Sequence, residues 1–153
     1  MLELDTRLTR RLDLAVPIVQ APIGSATCPA LAAAVADAGG LGMLAITWRG
    51  EDATREVVAA TLDRIGGTAG DAAGAVGVNI VLDPGAKDVP TETHVDAALD
   101  AGVEIISLSF GDVEELPLYA GQSAGLTDEV QSAAALVDDL AAETTAALEQ
   151  VGE

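Results

Sequence analysis

The stretch "VPIVQAPIGSATCPALAAAVADAGGLGMLAIT", residues 16–47, contains a strand, a helix and a second strand, in that order. The first predicted strand, 16–23, is an apolar run that is interrupted only by Gln20 and stops at a Pro-Ile-Gly turn. The second predicted strand, 41–47, is apolar as well. A helix between two such strands is typical of a βαβ unit, in which the two strands lie parallel.

The helix of this unit has recognisable ends. Pro29 lies in its first turn and Gly39 follows its last turn, which are the positions that these two residue types favour. Either Ser25 or Thr27 can supply the oxygen that caps the first free N–H groups.

The same alternation continues along the chain. It predicts helices over 51–65 and 90–102 and strands over 75–82 and 103–111. All four strands are continuously apolar, which is typical of a parallel sheet buried on both faces. Four βα units are about half of a (β/α)₈ barrel, which usually needs about 250 residues, and an open four-stranded sheet is the competing architecture. The predicted class is α/β, derived from a TIM barrel, with four parallel βα units.

After the fourth strand the alternation stops. Residues 112–126 are predicted to form a loop, and residues 127–150 one long helix with an apolar stripe. Thr127 can cap this helix. The 153 residues suffice for one domain, so we predict a single partial barrel over 1–153 that carries a C-terminal helix.

The charge of the chain is one-sided. The chain has 25 acidic and 7 basic residues, which gives a formal net charge of −18. Phosphate backbones and anionic membrane surfaces need a basic face, so this composition argues against both partners. Acidity spread along the chain suggests a halophilic organism, in which salt screens the self-repulsion. No secretion signal and no apolar run of membrane-spanning length is visible, which predicts a cytoplasmic protein.

Several possible sites have simpler interpretations. "GLGMLA", residues 40–45, matches a dinucleotide-binding pattern in its letters, but it leads from a helix into a strand and therefore lacks the required context. His94, the only histidine, is interpreted as a surface residue of a helix, and no metal site is predicted. Cys28 lies near a helix start, where a thiol can be activated, but no partner base is identified, and the favoured interpretation is a small packed residue.

Asn79 is the better candidate. It interrupts the apolar strand "VGVNIVL", and a buried amide needs hydrogen-bond partners. Two interpretations stay open on chemistry alone. The amide is satisfied by backbone or water, or it reaches a polar ligand at the mouth of a barrel.

Five stretches, in this order along the chain, resemble the nitronate monooxygenases, formerly called 2-nitropropane dioxygenases. They are "TRLTRRLDLAVPIVQAPIG", "PALAAAVADAGGLGMLA", "VGVNIVL", "HVDAALDAGVEIISLSFGD" and "LPLYAGQSAGL". The resemblance covers roughly residues 7 to 140. It implies a TIM barrel that binds FMN at the carboxyl ends of its strands and oxidises alkyl nitronates with molecular oxygen.

The resemblance also implies site residues. In the family the backbone after the first strand approaches the flavin ring, and an asparagine of the third strand and a Tyr-Ala-Gly-Gln segment belong to the same region. Carried over to this chain, the predicted FMN-binding residues are Ala21, Pro22, Ile23, Gly24, Asn79, Tyr119 and Gln122.

The chain departs from the family pattern after Asp112, which is followed almost at once by Leu116. In the family a long stretch separates these two segments and holds the second half of the barrel, a catalytic Gly-Gly-His histidine and the phosphate-binding loops. The resemblance therefore implies an internally truncated member, and no catalytic residue is assigned. Three hypotheses follow: an enzyme whose site a second chain completes, in a homodimer; an inactive remnant that acts as a packing or assembly module; or a broken gene product without a role.

Overall fold

The structure is a computed structural model that describes residues 4–66, 74–82, 89–109 and 130–151. Helices and strands alternate along most of the described chain, which confirms the predicted α/β class. The elements are α1 (Arg7–Leu12), a short 3₁₀ turn (Gly24–Ala26), α2 (Pro29–Asp37), β1 (Leu41–Ala45), α3 (Glu51–Leu62), β2 (Ala75–Val81), α4 (Thr91–Asp100), β3 (Ile105–Ser109) and α5 (Ala133–Val151).

Within the described residues the sheet has three parallel strands in the order β1-β2-β3. The predicted first strand, 16–23, is not a strand of this sheet, and this part of the prediction is wrong. It lies parallel to β1 but is joined to it by a single bridge, between Val19 and Leu41. Around that bridge Leu41 N donates to Ile18 O, and Gln20 N donates to Leu41 O, each at 2.9 Å.

Two side chains explain why the pairing ends there. The next ladder bond would need an N–H on Pro22, and proline has none. The N–H of Met43, which a continuing strand would satisfy with its backbone, donates instead to the side-chain Oε1 of Gln20 at 3.0 Å. Gln20 therefore ends the strand pairing without leaving the N–H of Met43 unsatisfied.

The three strands bury their outer face under the helices. This main core consists of even-numbered strand residues packed against α2, α3 and α4. Its members are Ala32, Ala36, Leu44, Ile46, Val57, Val58, Val76, Val78, Ile80, Ala98 and Val103. A layer of helices on one face of a parallel sheet is the arrangement of a (β/α) barrel wall.

Helix α2 lies very close to the sheet. A Cβ added to Gly42 would meet the carbonyl oxygen of Ala32 at 2.0 Å, and one added to Gly74 would meet that of Ala36 at 1.9 Å. Gly42 of "GLGMLA" therefore allows α2 to pack closely on β1. The motif leads from a helix into a strand, in agreement with the rejection of a dinucleotide loop.

Glycines follow the three predicted helices that precede β1, β2 and β3, and the predicted helix end at Gly39 is confirmed. Gly39, Gly66 and Gly102 follow α2, α3 and α4, and each has a positive φ, between 84° and 96°. Glycine adopts this left-handed conformation without the steric cost that a Cβ adds, which is why it ends helices.

Some helix starts differ from prediction. The N-cap of α2 is Cys28, which is exposed, rather than Ser25 or Thr27. Helix α1 was not predicted; it is short, and a capping box between Thr6 and Thr9 closes its N-terminus.

Helix α5 packs against α2, with Val137 buried in the contact. It begins at Ala133, whereas the prediction began at residue 127, and residues 130–132 precede it without helical structure. Thr127 and the predicted loop 112–126 lie outside the described residues, so the proposed division of the domain stays a prediction.

Candidate functional site

The face of the sheet opposite the helices, here called the inner face, changes character along the strands. Near the amino ends it is apolar, where Leu14 packs with Leu41 and Met43. Near the carboxyl ends it is polar, because Asn79, Ser107 and Ser109 share this face through the alternation of the strands. In a (β/α) barrel the carboxyl ends of the strands are where ligands bind.

Asn79 is buried, with 8% of its surface exposed. Its register partners are Ala45 on β1 and Ser107 on β3. The hydroxyl of Ser109 donates to Asn79 Oδ1 at 3.1 Å. Among the described residues no acceptor lies within hydrogen-bonding distance of Asn79 Nδ2, so both N–H donors of this nearly buried amide remain available.

The predicted flavin seat, residues 21–24, is held by two side chains. Thr27 is buried; its hydroxyl accepts from Ile23 N at 2.9 Å and donates to Ile23 O at 3.1 Å. Gln20 Nε2 donates to the carbonyl oxygen of Ala21. The turn at Pro22 and Ile23 is therefore fixed by Thr27 and by Gln20, the same glutamine that accepts from Met43 N on the edge of β1.

Gly24 has open space above it. A Cβ at this position would meet nothing within 4 Å, and its backbone is outside the left-handed region. Within the described residues the fold therefore places no demand for glycine here. Ile23, next to it, is 45% exposed. A bare backbone beside an open surface is what the close approach of a flat ligand requires.

Two residues in the loop after β1, Trp48 and Arg49, were not among the predicted site residues. Arg49 Nε donates to the carbonyl oxygen of Ala45 at 3.3 Å, on the edge of β1 that the chain leaves unpaired beyond Pro22. Trp48 is 49% exposed in the same loop. Their position directly after the carboxyl end of a barrel-type strand was the available signal.

His94 is buried, which corrects its interpretation as a surface residue. No part of it is exposed; Nε2 lies 2.9 Å from Arg49 O, and Nδ1 lies 3.1 Å from Pro90 O. Its spacing from the buried Ala97 and Ala98 places it on the packed face of α4, a signal that the sequence contained. Both ring nitrogens face backbone carbonyls, so His94 ties α4 to the loop after β1 and is not a base on the inner face.

The last two predicted FMN-binding residues, Tyr119 and Gln122, lie outside the described residues. Within the described ranges no group of His, Cys, Asp and Glu side chains is arranged to hold a metal ion. In the same ranges no helix is both long and apolar enough to cross a membrane.

The architecture agrees with solved (β/α)-barrel-type structures. The chain is similar to FabK from Thermotoga maritima, with a TM-score of 0.57 and 28% sequence identity over 71% of this chain and 31% of that one. It is also similar to a mutant of the same FabK, with a TM-score of 0.57 and 27% identity over 68% of this chain and 31% of that one. The class that the fold and the polar carboxyl ends define is a partial TIM-barrel-type α/β protein.

Sequence comparison narrows this class. The family model for nitronate monooxygenase matches residues 5–66. A nitronate monooxygenase of Pseudomonas aeruginosa is 48% identical over 52 residues, which are 34% of this chain and 15% of that protein. The resemblance to the nitronate monooxygenase family is therefore confirmed. The residues of the family match include the predicted flavin seat and β1, whereas Asn79 lies beyond them.

Proposed function

We propose that this chain forms one half of an FMN-binding barrel of the nitronate monooxygenase type, which oxidises alkyl nitronates with molecular oxygen when a second chain completes the site. One observation carries the proposal: a nearly buried asparagine presents an unused amide donor on the inner face, at the carboxyl ends of the strands. Pockets for cofactors are concave and mostly apolar, with a few placed polar groups of this kind.

The residues present fit the ring of a flavin rather than its phosphate. The Pro22–Gly24 backbone offers a surface without side-chain obstruction at Gly24, and Asn79 offers a donor to a ring carbonyl or nitrogen. Arg49 adds a positive charge beside this region. When bound, FMN supplies the redox chemistry. The internal truncation predicted after Asp112 leaves every copy of the chain without the family's phosphate loops and catalytic histidine, so in a homodimer other residues of the two chains hold the phosphate and accept the proton.

A second candidate function is a packing or assembly module without catalysis. Apolar residues at the β3 side of the described structure favour it, because Leu99 on α4 and Leu108 on β3 are 51% and 52% exposed. In the described sheet β3 pairs with β2 alone. An unpaired edge beside exposed leucines is suited to association with another chain. We propose a homodimer as the form in which either function operates.

Two measurements on the purified protein in high salt test these functions. We expect flavin absorption in the visible spectrum, or its appearance with saturation when FMN is added. Asn79→Ala should weaken FMN binding, with Gln150→Ala, a change at an exposed residue of α5, as the control. A colourless protein that ignores FMN would leave only the assembly function, and a monomer by light scattering would overturn the proposed homodimer.

The net charge of −18 further supports a halophilic, cytoplasmic protein. Its free energy of unfolding should rise with KCl concentration because salt screens the repulsion among carboxylates. A stability that falls or stays constant as salt is added would contradict the halophilic assignment.

A further inference from the structure

We propose that Ser109 is a positioning residue that fixes the orientation of the Asn79 amide, so that the candidate site presents a hydrogen-bond donor and takes ligands with an acceptor on a planar edge. The ligand class is a heterocycle with a ring carbonyl or an unprotonated ring nitrogen. The identity of that ligand as FMN rests on the proposed function, whereas the orientation of the amide does not.

The register of the sheet places the two side chains together. Asn79 lies opposite Ser107, and Ser109 lies two residues further along β3, on the same face. Ser109 is therefore the diagonal neighbour of Asn79, at a separation that side chains can bridge. The bond from Ser109 Oγ to Asn79 Oδ1, 3.1 Å long, is this diagonal contact.

The bond decides which end of the amide is free. An asparagine side chain has an acceptor oxygen and a donor NH₂ group at opposite ends of one plane. Because Ser109 engages the oxygen, the NH₂ group is directed away from it and retains its donors. A reversed amide would present an acceptor to the ligand and would bind the opposite chemistry.

Burial gives this choice energetic weight. Asn79 as a whole is only 8% exposed, but solvent reaches its Nδ2, so a ligand in the site displaces that water and has to supply an acceptor in its place. A ligand that accepts from Nδ2 completes the amide, whereas a ligand that can only donate leaves it incomplete. Ser107 provides the matched control, because it lies on the same strand and face, is exposed, and makes no bond with Asn79.

The first test needs no ligand. Asn79 is the only asparagine of the chain, so protein labelled with ¹⁵N in the asparagine side chain shows one NH₂ signal pair in NMR spectra. The two informative variants are Ser109→Val and Ser109→Thr, which have nearly the same shape and differ in the hydroxyl. We expect the signal pair to move, and its hydrogens to exchange faster with water, in Ser109→Val, but to stay near the wild-type position in Ser109→Thr and Ser107→Ala.

An unchanged signal pair in Ser109→Val, or an equal change in Ser107→Ala, overturns the positioning role. Should Ser109→Val fail to fold, Ser109→Ala removes the same hydroxyl with less bulk and is compared with Ser107→Ala. A variant that loses thermal stability but keeps the wild-type NH₂ signals also speaks for packing alone and overturns the proposal.

The second test uses FMN. Ser109→Val should weaken FMN binding about fivefold, the value of one ordinary hydrogen bond, with Ser109→Thr and Gln150→Ala, at an exposed position of α5, close to wild type. If Asn79→Ala weakens FMN binding and Ser109→Val does not, the positioning role is wrong while the proposed function stands. If the wild-type protein does not bind FMN, the proposed function fails and the NMR result alone decides the role of Ser109.

Discussion

Gln20 replaces a strand with a side chain: its Oε1 accepts the backbone N–H of Met43 at 3.0 Å, where a neighbouring strand would have offered a carbonyl. The same side chain donates through Nε2 to Ala21 O. A polar residue inside an apolar run therefore has a structural reason. It allows the chain to leave β1 and form the turn on which the predicted flavin seat depends.

This relationship can be tested by removing the acceptor while keeping the shape. Gln20→Met should lower the free energy of unfolding by about 1–3 kcal/mol, because the buried N–H of Met43 loses its partner. Gln20→Glu keeps an acceptor and should cost less in high salt. Urea unfolding measures both, and amide hydrogen exchange at Met43 reports the local effect. Equal stability of the two variants would argue that the bond contributes nothing.

The close contact between α2 and β1 makes a second prediction. Gly42→Ala places a Cβ at 2.0 Å from the backbone oxygen of Ala32, so the helix must move away from the sheet. We expect a loss of about 1–3 kcal/mol or more in the free energy of unfolding. Gly24→Ala, with nothing within 4 Å of its Cβ, is the matched control and should leave thermal unfolding unchanged. A stable Gly42→Ala protein would show that α2 lies further from β1.

Gly24 itself tests the flavin seat. Gly24→Val fills space that the fold leaves open, so it should hardly change the unfolding temperature but should weaken FMN binding at least tenfold. The matched control is Ala26→Val, at an exposed position of the same turn. FMN titration followed by flavin fluorescence measures the effect. Binding that survives Gly24→Val would place the ligand elsewhere.

His94 is predicted to be structural. His94→Leu keeps an apolar contact on α4 but leaves the Arg49 carbonyl without its partner, which should cost about 1–3 kcal/mol. His94→Gln retains a donor and should recover part of that loss in urea unfolding. Should FMN bind, its affinity in folded His94→Gln should match wild type, because His94 does not face the inner face. A selective loss of FMN affinity would contradict this assignment.

Arg55 on α3 pairs with Glu51 of the same helix at 2.6 Å and with Asp100 at the end of α4 at 3.1 Å. The hydrogen bonds that Arg55 donates to Glu51 and to Asp100 raise the pKa of Arg55 above its ordinary value. A raised pKa means that the stabilisation is complete below the unfolded-state pKa and is lost only as pH rises through the folded-state pKa, far into the alkaline range.

We therefore expect Arg55→Gln to lower the urea midpoint at low salt. Because Arg55 stays charged near neutral pH, this decrease should change little with pH in that range. At about 1 M salt, where the screening length is about 3 Å, the difference from wild type should largely disappear. Arg64→Gln, just after the end of α3 and without an ion pair among the described residues, is the control. A salt-independent difference would indicate packing by the arginine stem instead.

Much of the fold could be predicted because it depends on local signals. The helix-stopping glycines, such as Gly102, and the apolar runs of β1 and β2 are properties of short segments. Pro22 and Gly24 also marked a break in the chain from the sequence alone. The family resemblance, carried by ordered motifs and confirmed over residues 5–66, belongs to this category.

The errors came from interactions between distant residues. The segment 16–23 has the composition of a strand, but pairing needs a continuous backbone ladder, and Pro22 and Gln20 end it after one bridge. His94 was predicted to be exposed because histidine is polar. Its burial is possible because its ring nitrogens lie at the backbone carbonyls of Pro90 and of Arg49, the latter 45 residues away in sequence.

The sequence by itself determined the alternation of helices and strands, the acidic composition and the resemblance to the nitronate monooxygenases over residues 5–66, because these follow from residue types and their local spacing. Only the tertiary structure decided which face of the sheet carries Asn79 and that Ser109 engages its oxygen. The strand register sets these contacts, and register depends on the packing of all strands and helices together.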